Sequence, residues 1–243
     1  IMYIIYENSS LLDGKPIAVI AIPKSSNVKT GDMLQTIIIR TDIDPITASR
    51  TGEDYSICGD CIHRGIPHTG NSGGAKKRSC YVMLLMVLSV YKAYKKGNYK
   101  RITGHDAIAS IGADTLVRLG TYGDPAAVPS YIWESLLTNA NGHTGYSHQA
   151  NIDSADYRPD LTMRSADTLD EAQEAWARGE RTFRVTANAH DIVQGKEILC
   201  PASNEAGNRT TCDKCKLCSG NTINAKSIVI MAHGAGSKHY VTA

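Results

Sequence analysis

Seven cysteines in two separate groups constrain this chain more than any other feature of its sequence. In the second group two residues separate Cys212 from Cys215 and Cys215 from Cys218, and eleven residues separate Cys200 from Cys212. Four thiolates at this spacing can bind one iron–sulfur cube or one tetrahedral zinc ion. Successive backbone amides in a CxxCxxC loop can also donate hydrogen bonds to cluster sulfides, which favours iron–sulfur. A structural zinc clip that closes a long loop is the alternative.

The first group contains only three cysteines, Cys58, Cys61 and Cys80. A site with three protein ligands keeps one coordination position open for chemistry. His63, His68, water or a substrate could take that position, and under the alternative interpretation a histidine completes a Cys₃His zinc site. Cys80 directly precedes a predicted helix, whose N-terminus would favour the thiolate form of its side chain.

Length and composition are those of a globular protein. The 243 residues, 42% hydrophobic and 21% charged, predict a single α/β domain over residues 1–243. Within it we expect a β-rich N-terminal region at 1–54 and a cysteine-rich metal-binding insertion at 198–222. The net charge of +2 gives no strong nucleic-acid signal, and no apolar run approaches the roughly 18 residues of a membrane span. Metal-binding cysteines rather than disulfides favour the cytoplasm.

Short β-rich runs alternate with helical patterns along the chain, which predicts parallel β/α units in a partial, open barrel-like sheet. Helices are predicted at 81–96, 129–137 and 169–178, where Asp167 or Thr168 can cap the third. Strands are predicted at 2–6, 17–22, 36–40, 116–119, 144–147, 161–164, 181–185 and 227–231.

Five of these strands end in polar or Gly-rich sequences, and the functional rim of parallel β/α folds lies at the carboxyl ends of the strands. We therefore expect these segments to share one rim that binds a small-molecule ligand, with Asp124, His148 and Arg164 as candidate catalytic residues. Gly123 and Asp124 are candidate cofactor-binding residues, although turn chemistry alone also explains them. The five segments are Gly123-Asp124-Pro125, His148-Gln149, Arg164-Ser165, Thr186-Ala-Asn188 and His233-Gly234.

The order of motifs over about residues 30–240 resembles a family of bacteriophage proteins labelled as phage gene product 88. This resemblance implies a phage-encoded protein in the cytoplasm of the host cell, and it implies no particular activity. The motifs are Cys58-Gly-Asp-Cys61, Cys80-Tyr81, Arg118-Leu-Gly-Thr-Tyr-Gly-Asp-Pro125, Gly145-Tyr-Ser-His148, Arg181-Thr-Phe-Arg184, Cys200-Pro-Ala-Ser203, Thr211-Cys-Asp-Lys-Cys-Lys-Leu-Cys218 and Ala232-His-Gly234.

A more distant resemblance in layout is to radical SAM enzymes. That superfamily places three cysteines, the last followed by an aromatic residue, before a helix and a strand with a Gly-Glu-Pro-like turn. Cys80-Tyr81 and Gly123-Asp124-Pro125 stand in comparable places, and the later four cysteines resemble auxiliary clusters. The family spacing is CxxxCxxC, whereas here a CxxC precedes a gap of eighteen residues. The resemblance implies SAM as a cofactor, with its amine and carboxylate on the open iron.

The leading hypothesis is thus a phage-type metalloprotein with one or two 4Fe-4S clusters, a radical-SAM-like enzyme acting on a small molecule or nucleotide. The competing hypothesis is a zinc-stabilised, non-catalytic phage accessory protein that binds nucleic acid or a host protein.

Overall fold

The computed structural model describes residues 2–23, 28–188 and 191–240 of the chain. Its strands are β1 Tyr3–Ser9, β2 Pro16–Ile22, β3 Met33–Arg40, β4 Lys100–Arg101, β5 Leu116–Tyr122, β6 Gly142–Thr144, β7 Tyr146–Ser147, β8 Met163–Ala166, β9 Thr182–Thr186, β10 Glu197–Leu199 and β11 Ser227–Met231.

These strands form two sheets, so the fold is mixed α/β. The first sheet has the order β4-β1-β2-β3-β5-β6, and the second has the order β10-β11-β9-β8-β7. In the first sheet β2 is antiparallel to both β1 and β3, whereas β3, β5 and β6 are parallel. Every pairing in the second sheet is parallel.

The helices of the described residues are short. The longest, α3, has 12 residues, and no described helix is both long and apolar enough to cross a membrane. The helices are α1 Pro45–Thr51, α2 Tyr55–Cys58, α3 Leu84–Lys95, α4 His105–Gly112, α5 Ser130–Leu137, α6 Leu169–Ala177 and α7 Cys212–Cys215.

The two sheets have separate apolar cores. In the first, β2 is a continuous apolar run in which Ile17 through Ala21 are completely buried, as expected of a central strand covered on both faces. In the second, Met163, Ile228 and Ile230 pack with Cys200. The larger core belongs to the first sheet, and the second core is built partly from cysteine side chains.

One residue, Gly145, separates the two sheets along the chain, because β6 ends at Thr144 and β7 begins at Tyr146. Its N–H donates to the carbonyl oxygen of Cys218, with a distance of 3.0 Å, and its own carbonyl accepts from Met163. A Cβ at this position would lie 3.1 Å from the Thr162 side chain, which favours glycine here.

The α/β class predicted from the sequence is confirmed, and most element bounds differ by only a few residues. Helix α3 begins at Leu84 rather than at 81, so Cys80 does not lie at its first turn. Thr168, and not Asp167, caps α6 by accepting from the Glu171 N–H. The N-terminal strands belong to the first sheet, in which β3 pairs with β5 and β1 pairs with β4.

Candidate metal centre

A single cavity of about 230 Å³ contacts all seven cysteines. It lies where the two sheets meet, and its wall also contains Gly123, Asp124, His148, Ser165 and His233 from four of the five predicted strand ends. None of the cysteines is in a disulfide. The expectation that the strand ends share one rim is met for these four segments, whereas Thr186 of the fifth hydrogen-bonds to Asn188 and Asp191 instead.

The first cysteine group is held in place by long side chains that bond to its backbone. Gln149, which is completely buried, donates from Nε2 to the Cys58 carbonyl at 2.9 Å and accepts the Asp60 N–H at Oε1. Arg64 donates to the carbonyl of Gly59 at 2.7 Å. Cys80 comes later in the sequence than Cys58 and Cys61, and its backbone carbonyl accepts a hydrogen bond from the Arg78 side chain at 3.0 Å. The loop is therefore fixed by its neighbours before any metal binds.

The second cysteine group is anchored at both ends of its segment. The Cys200 N–H donates to Val229 of β11 at 2.7 Å, and the Cys212 N–H donates to Lys29 at 3.0 Å. Near its end, the buried Arg181 donates to the Leu217 and Gly220 carbonyls, each at 2.7 Å. These contacts bring residues that are far apart in sequence to one wall of the cavity.

Neighbouring thiols of the same group raise one another's pKa. Burial raises the pKa of Cys58 well above its usual value, and Cys61 and Cys80 add to the shift. Burial likewise raises the pKa of Cys218 to about 12, with contributions from Cys200 and Cys212. Without metal these buried thiols stay protonated at neutral pH, whereas a bound metal ion would deprotonate them.

Asp124 lines the cavity, but its carboxylate is already occupied by the protein. Its Oδ1 accepts the Ala126 N–H at 3.0 Å, and its Oδ2 accepts from the His148 N–H at 2.8 Å and from Gln149 Nε2 at 2.9 Å. Its own N–H donates to the Ile57 carbonyl. Asp124 thus connects the end of β5 to the segment of the first cysteine group, in addition to any contact with a ligand.

His148 forms a chain of contacts with Cys61 and Asp167. Its Nε2 lies 3.2 Å from Asp167 Oδ1, and its ring lies near enough to Cys61 for the charges of the two groups to interact. Burial alone would lower the pKa of His148, but the charges of Cys61 and Asp167 raise it well above its usual value. On the other side of Asp167, burial lowers the pKa of His63 to about 4, so His63 is neutral at physiological pH.

Arg118 places one positive charge in the cavity, near Cys212 and Cys218 of the second cysteine group. Its Nη2 donates to the Tyr81 hydroxyl at 2.9 Å, and its guanidinium lies over the Tyr146 ring, 5.2 Å from the centroid. Burial opposes its charge, yet the neighbouring Tyr81, Tyr146 and Cys212 raise the pKa of Arg118 further. A buried cation is well placed to offset the negative charge of thiolate ligands.

The structure does not bring every candidate residue to the cavity. Arg164 is buried elsewhere, where it donates to Asn151 and lies 3.9 Å from Glu180. His68 bonds to its own loop through the Gly74 carbonyl, so it is not near the open position. His233 lines the cavity, where its ring stacks on Tyr81 with centroids 5.6 Å apart.

Asp167 and Gln149 are the site residues that the sequence pattern did not single out. Asp167 stands one residue before a helix cap and is indistinguishable in sequence from a capping residue. Gln149 belongs to a predicted strand end, but the two groups that accept from its Nε2 lie 91 and 25 residues away. The only sequence signal for Asp167 and Gln149 as site residues is that each is a polar residue close after a buried strand.

The donor set fits a metal better than it fits isolated thiols. Three and four thiols that line one partly apolar cavity, without disulfides, match the ligand types of cluster sites. The Cys61–His148–Asp167 chain also has the order of nucleophile, base and orienting carboxylate found in thiol enzymes. The cavity therefore supports two kinds of chemistry, metal binding and thiol catalysis. Metal binding uses all seven cysteines, whereas thiol catalysis would use only Cys61.

Comparisons of the chain with protein-family models, with curated proteins and with solved structures found no match. The resemblances to the phage family and to radical SAM enzymes stay predictions.

Proposed function

We propose that the protein is an iron–sulfur metalloprotein whose two cysteine-ligated centres face one cavity. The observation that carries the proposal is that all seven cysteines contact this cavity and divide into the two groups expected from their spacing. Cys58, Cys61 and Cys80 would hold a centre with an open position. The four cysteines from Cys200 to Cys218 would hold a closed second centre.

The separation of the sulfur atoms supports iron–sulfur clusters over zinc. Among the described residues, the one set of three ligand atoms that all lie within 4.8 Å of one another contains no cysteine. Tetrahedral zinc, with Zn–S of about 2.3 Å, would hold its sulfurs about 3.8 Å apart. In a cube each cysteine binds a different iron, so the sulfurs are spread more widely. The zinc-stabilised accessory protein is therefore the weaker alternative.

The course of the chain supports a partial barrel of the radical SAM type. The parallel run β3-β5-β6 continues through Gly145 into the parallel run β7-β8-β9-β11. Cys58, Cys61 and Cys80 follow β3, and Gly123 and Asp124 follow β5, which is the order that the resemblance implies. We propose a small molecule or nucleotide as the ligand, with SAM as its cofactor. The cavity of about 230 Å³ lies below the range of about 300–1,000 Å³ that is usual for ligand sites, which favours a small ligand.

When bound, the first centre would supply one-electron chemistry to the cavity. The protein's own residues would do the rest: Gln149 and Arg64 hold the cysteine loop, and Arg118 balances charge. Free thiols and clusters require a reducing compartment, which supports the cytoplasm of the host cell if the protein is phage-encoded.

The test is iron and sulfide content with a visible spectrum, on protein purified without oxygen. Two clusters predict about eight irons and eight sulfides per chain. Cys80→Ser and Cys215→Ser should each lose the irons of one group, and the doubly substituted chain should lose both. An equilibrium binding titration of the protein with SAM then tests whether SAM binds at the open position of the first centre.

A colourless protein with one or two zinc ions would reject the proposal in favour of the accessory protein. A colourless, metal-free protein in which iodoacetamide modifies Cys61 faster than the other cysteines would instead favour thiol catalysis through His148 and Asp167.

A further inference from the structure

Three metal-ligating side chains that are not cysteines meet on the cavity wall. His63 comes from the 3₁₀ turn Ile62–Arg64, His148 follows β7 and Asp167 follows β8. One ligand atom of each residue lies within 4.8 Å of the other two. Asp167 Oδ1 lies 3.2 Å from His148 Nε2 and 3.9 Å from His63 Nε2. The exposed fractions of the three side chains are only 13–18%.

One atom of this group has no partner within the described part of the chain. His63 Nε2 is buried and makes no hydrogen bond, which is unfavourable for a polar group. The other ring nitrogen, Nδ1, lies 2.9 Å from Ser79 Oγ. When that nitrogen carries the proton and donates it to Ser79, the lone pair of Nε2 is directed at the neighbouring His148 and Asp167.

The surroundings hold all three groups in orientation. Tyr240 stacks on the His63 ring with centroids 5.8 Å apart, and His148 meets His63 edge-on at the same distance. The Asp167 N–H donates to Glu171 Oε2 at 2.7 Å. In metal sites, contacts of this kind hold the ligand side chains in the orientation that metal binding requires. The remaining sides of the group face the cavity, because all three residues line it.

We propose that His63, His148 and Asp167 bind a single divalent first-row transition-metal ion, with coordination positions open to the cavity. Two imidazoles and one carboxylate are the donor set of mononuclear iron(II) and zinc sites that bind an oxygen or nitrogen ligand. The proposal uses no cysteine and stands apart from the iron–sulfur centres, although the His148 ring also contacts Cys61. It gives the cavity a Lewis acid that could bind a carboxylate, hydroxyl or amine of a ligand.

Mn²⁺ is the probe that separates this site from the cysteines, because thiolates select softer metals whereas imidazole and carboxylate accept Mn²⁺. The solution signal of hexaaqua Mn²⁺ in room-temperature electron paramagnetic resonance decreases as the ion binds. Protein as purified, with its cysteine-bound metal, should bind one Mn²⁺ per chain. Zn²⁺ should displace it at lower concentration, following the order of metal affinities.

Variants assign the binding to these residues. His63→Gln and Asp167→Asn should abolish Mn²⁺ binding, and Ser79→Ala should weaken it by roughly 10–100-fold. His233→Gln is the matched control, because His233 lines the same cavity but bonds to the Met231 carbonyl. It should bind Mn²⁺ as the unmodified protein does. Circular dichroism establishes that each variant is folded.

Iron and sulfide, measured on the same samples, keep the two proposals apart. Cysteine-bound iron without Mn²⁺ binding would overturn this inference alone, as would Mn²⁺ binding that persists in both His63→Gln and Asp167→Asn. Mn²⁺ binding in a protein without iron would overturn the proposed iron–sulfur function and leave this site intact.

Discussion

The side-chain amide of Gln149 donates a hydrogen bond to the backbone carbonyl of Cys58, 91 residues earlier in the chain, at 2.9 Å. The same nitrogen donates to Asp124, and the amide oxygen accepts the Asp60 N–H. One buried side chain therefore sets the position of the CxxC loop relative to the ends of two strands.

Gln149→Leu should lose the first centre and keep the second. Leucine fills much of the volume but cannot bond to Cys58 or Asp60, so the loop loses its attachment. About half of the iron should be absent from the purified variant, measured per folded chain. Gln35→Leu is the control, since Gln35 is also buried but bonds to Thr30 and Thr121. Equal iron in both variants would contradict the role assigned to Gln149.

Asp124→Ala should destabilise the protein whether or not Asp124 binds a ligand. The change leaves three buried donors without their acceptor, the N–H groups of Ala126 and His148 and the Gln149 amide. We expect the free energy of unfolding to fall by about 2–5 kcal/mol in urea titrations. Asp124→Asn, which keeps one acceptor oxygen, should lose less. A fully stable alanine variant would mean that water or nearby groups replace these bonds.

Arg118→Met should lower the reduction potential of the second centre by tens of millivolts. Arg118 is a buried cation whose charge acts on Cys212, and removing nearby positive charge stabilises the oxidised form of a cluster. Redox titration monitored by visible absorption measures the shift. Arg40→Met provides the comparison, because Arg40 is equally buried but pairs with Asp42 and Glu53. Its potential should match that of the unmodified protein.

Arg184→Met should cost about 3–5 kcal/mol, because it leaves the completely buried carboxylate of Glu197 without its partner. The two side chains form a bidentate pair, with distances of 2.9 and 2.8 Å, between β9 and β10. The double variant Arg184→Met with Glu197→Leu removes both charges and should recover much of the stability. Chemical unfolding measures the stability of both variants. A double variant less stable than Arg184→Met would refute the explanation.

Stability should fall as the pH drops below about 6.5, in part because of His143. Burial lowers the pKa of His143, and its Nε2 is buried without a hydrogen-bond partner. The unfolded chain therefore binds a proton that the folded chain resists, so unfolding becomes easier as pH falls from 6.5 towards the lowered pKa. Urea unfolding at pH 7.5 and 5.5 should show a smaller loss for His143→Phe. Parallel losses in both proteins would exclude His143 as the cause.

Most strands were predictable because they are local apolar runs, as with Ile17–Ile22 and Ser227–Met231, whereas the short strands β4 and β10 were not predicted. Helices α1 and α4 were not predicted. The second, His105–Gly112, begins after Gly104 without any side-chain cap, so the sequence contains no start signal there. The grouping of the cysteines followed from their spacing, since ligands of one centre are often close in sequence.

The rest of the site depends on contacts that no local pattern encodes. Asp167 reads as a helix cap, and only the parallel pairing of β7 with β8 brings it to His148. Arg164 lies three residues before Asp167, in β8, and was an equally good candidate by sequence. Because side chains alternate between the two faces of a strand, Arg164 points to the face opposite the cavity. Deciding between these residues requires the register of the sheet.

The division at Gly145 has a consequence for synthesis on the ribosome. Strands β1 to β6 all lie before this residue, and β7 to β11 all lie after it. The first sheet can pair while the second is still being translated, as N-terminal units commonly fold first. Cys58, Cys61 and Cys80 then emerge long before the opposite wall of their cavity exists. The nascent chain would expose these thiols to oxidants and to competing metals until Cys218 is made, so the timing of metal delivery would decide how much protein matures correctly.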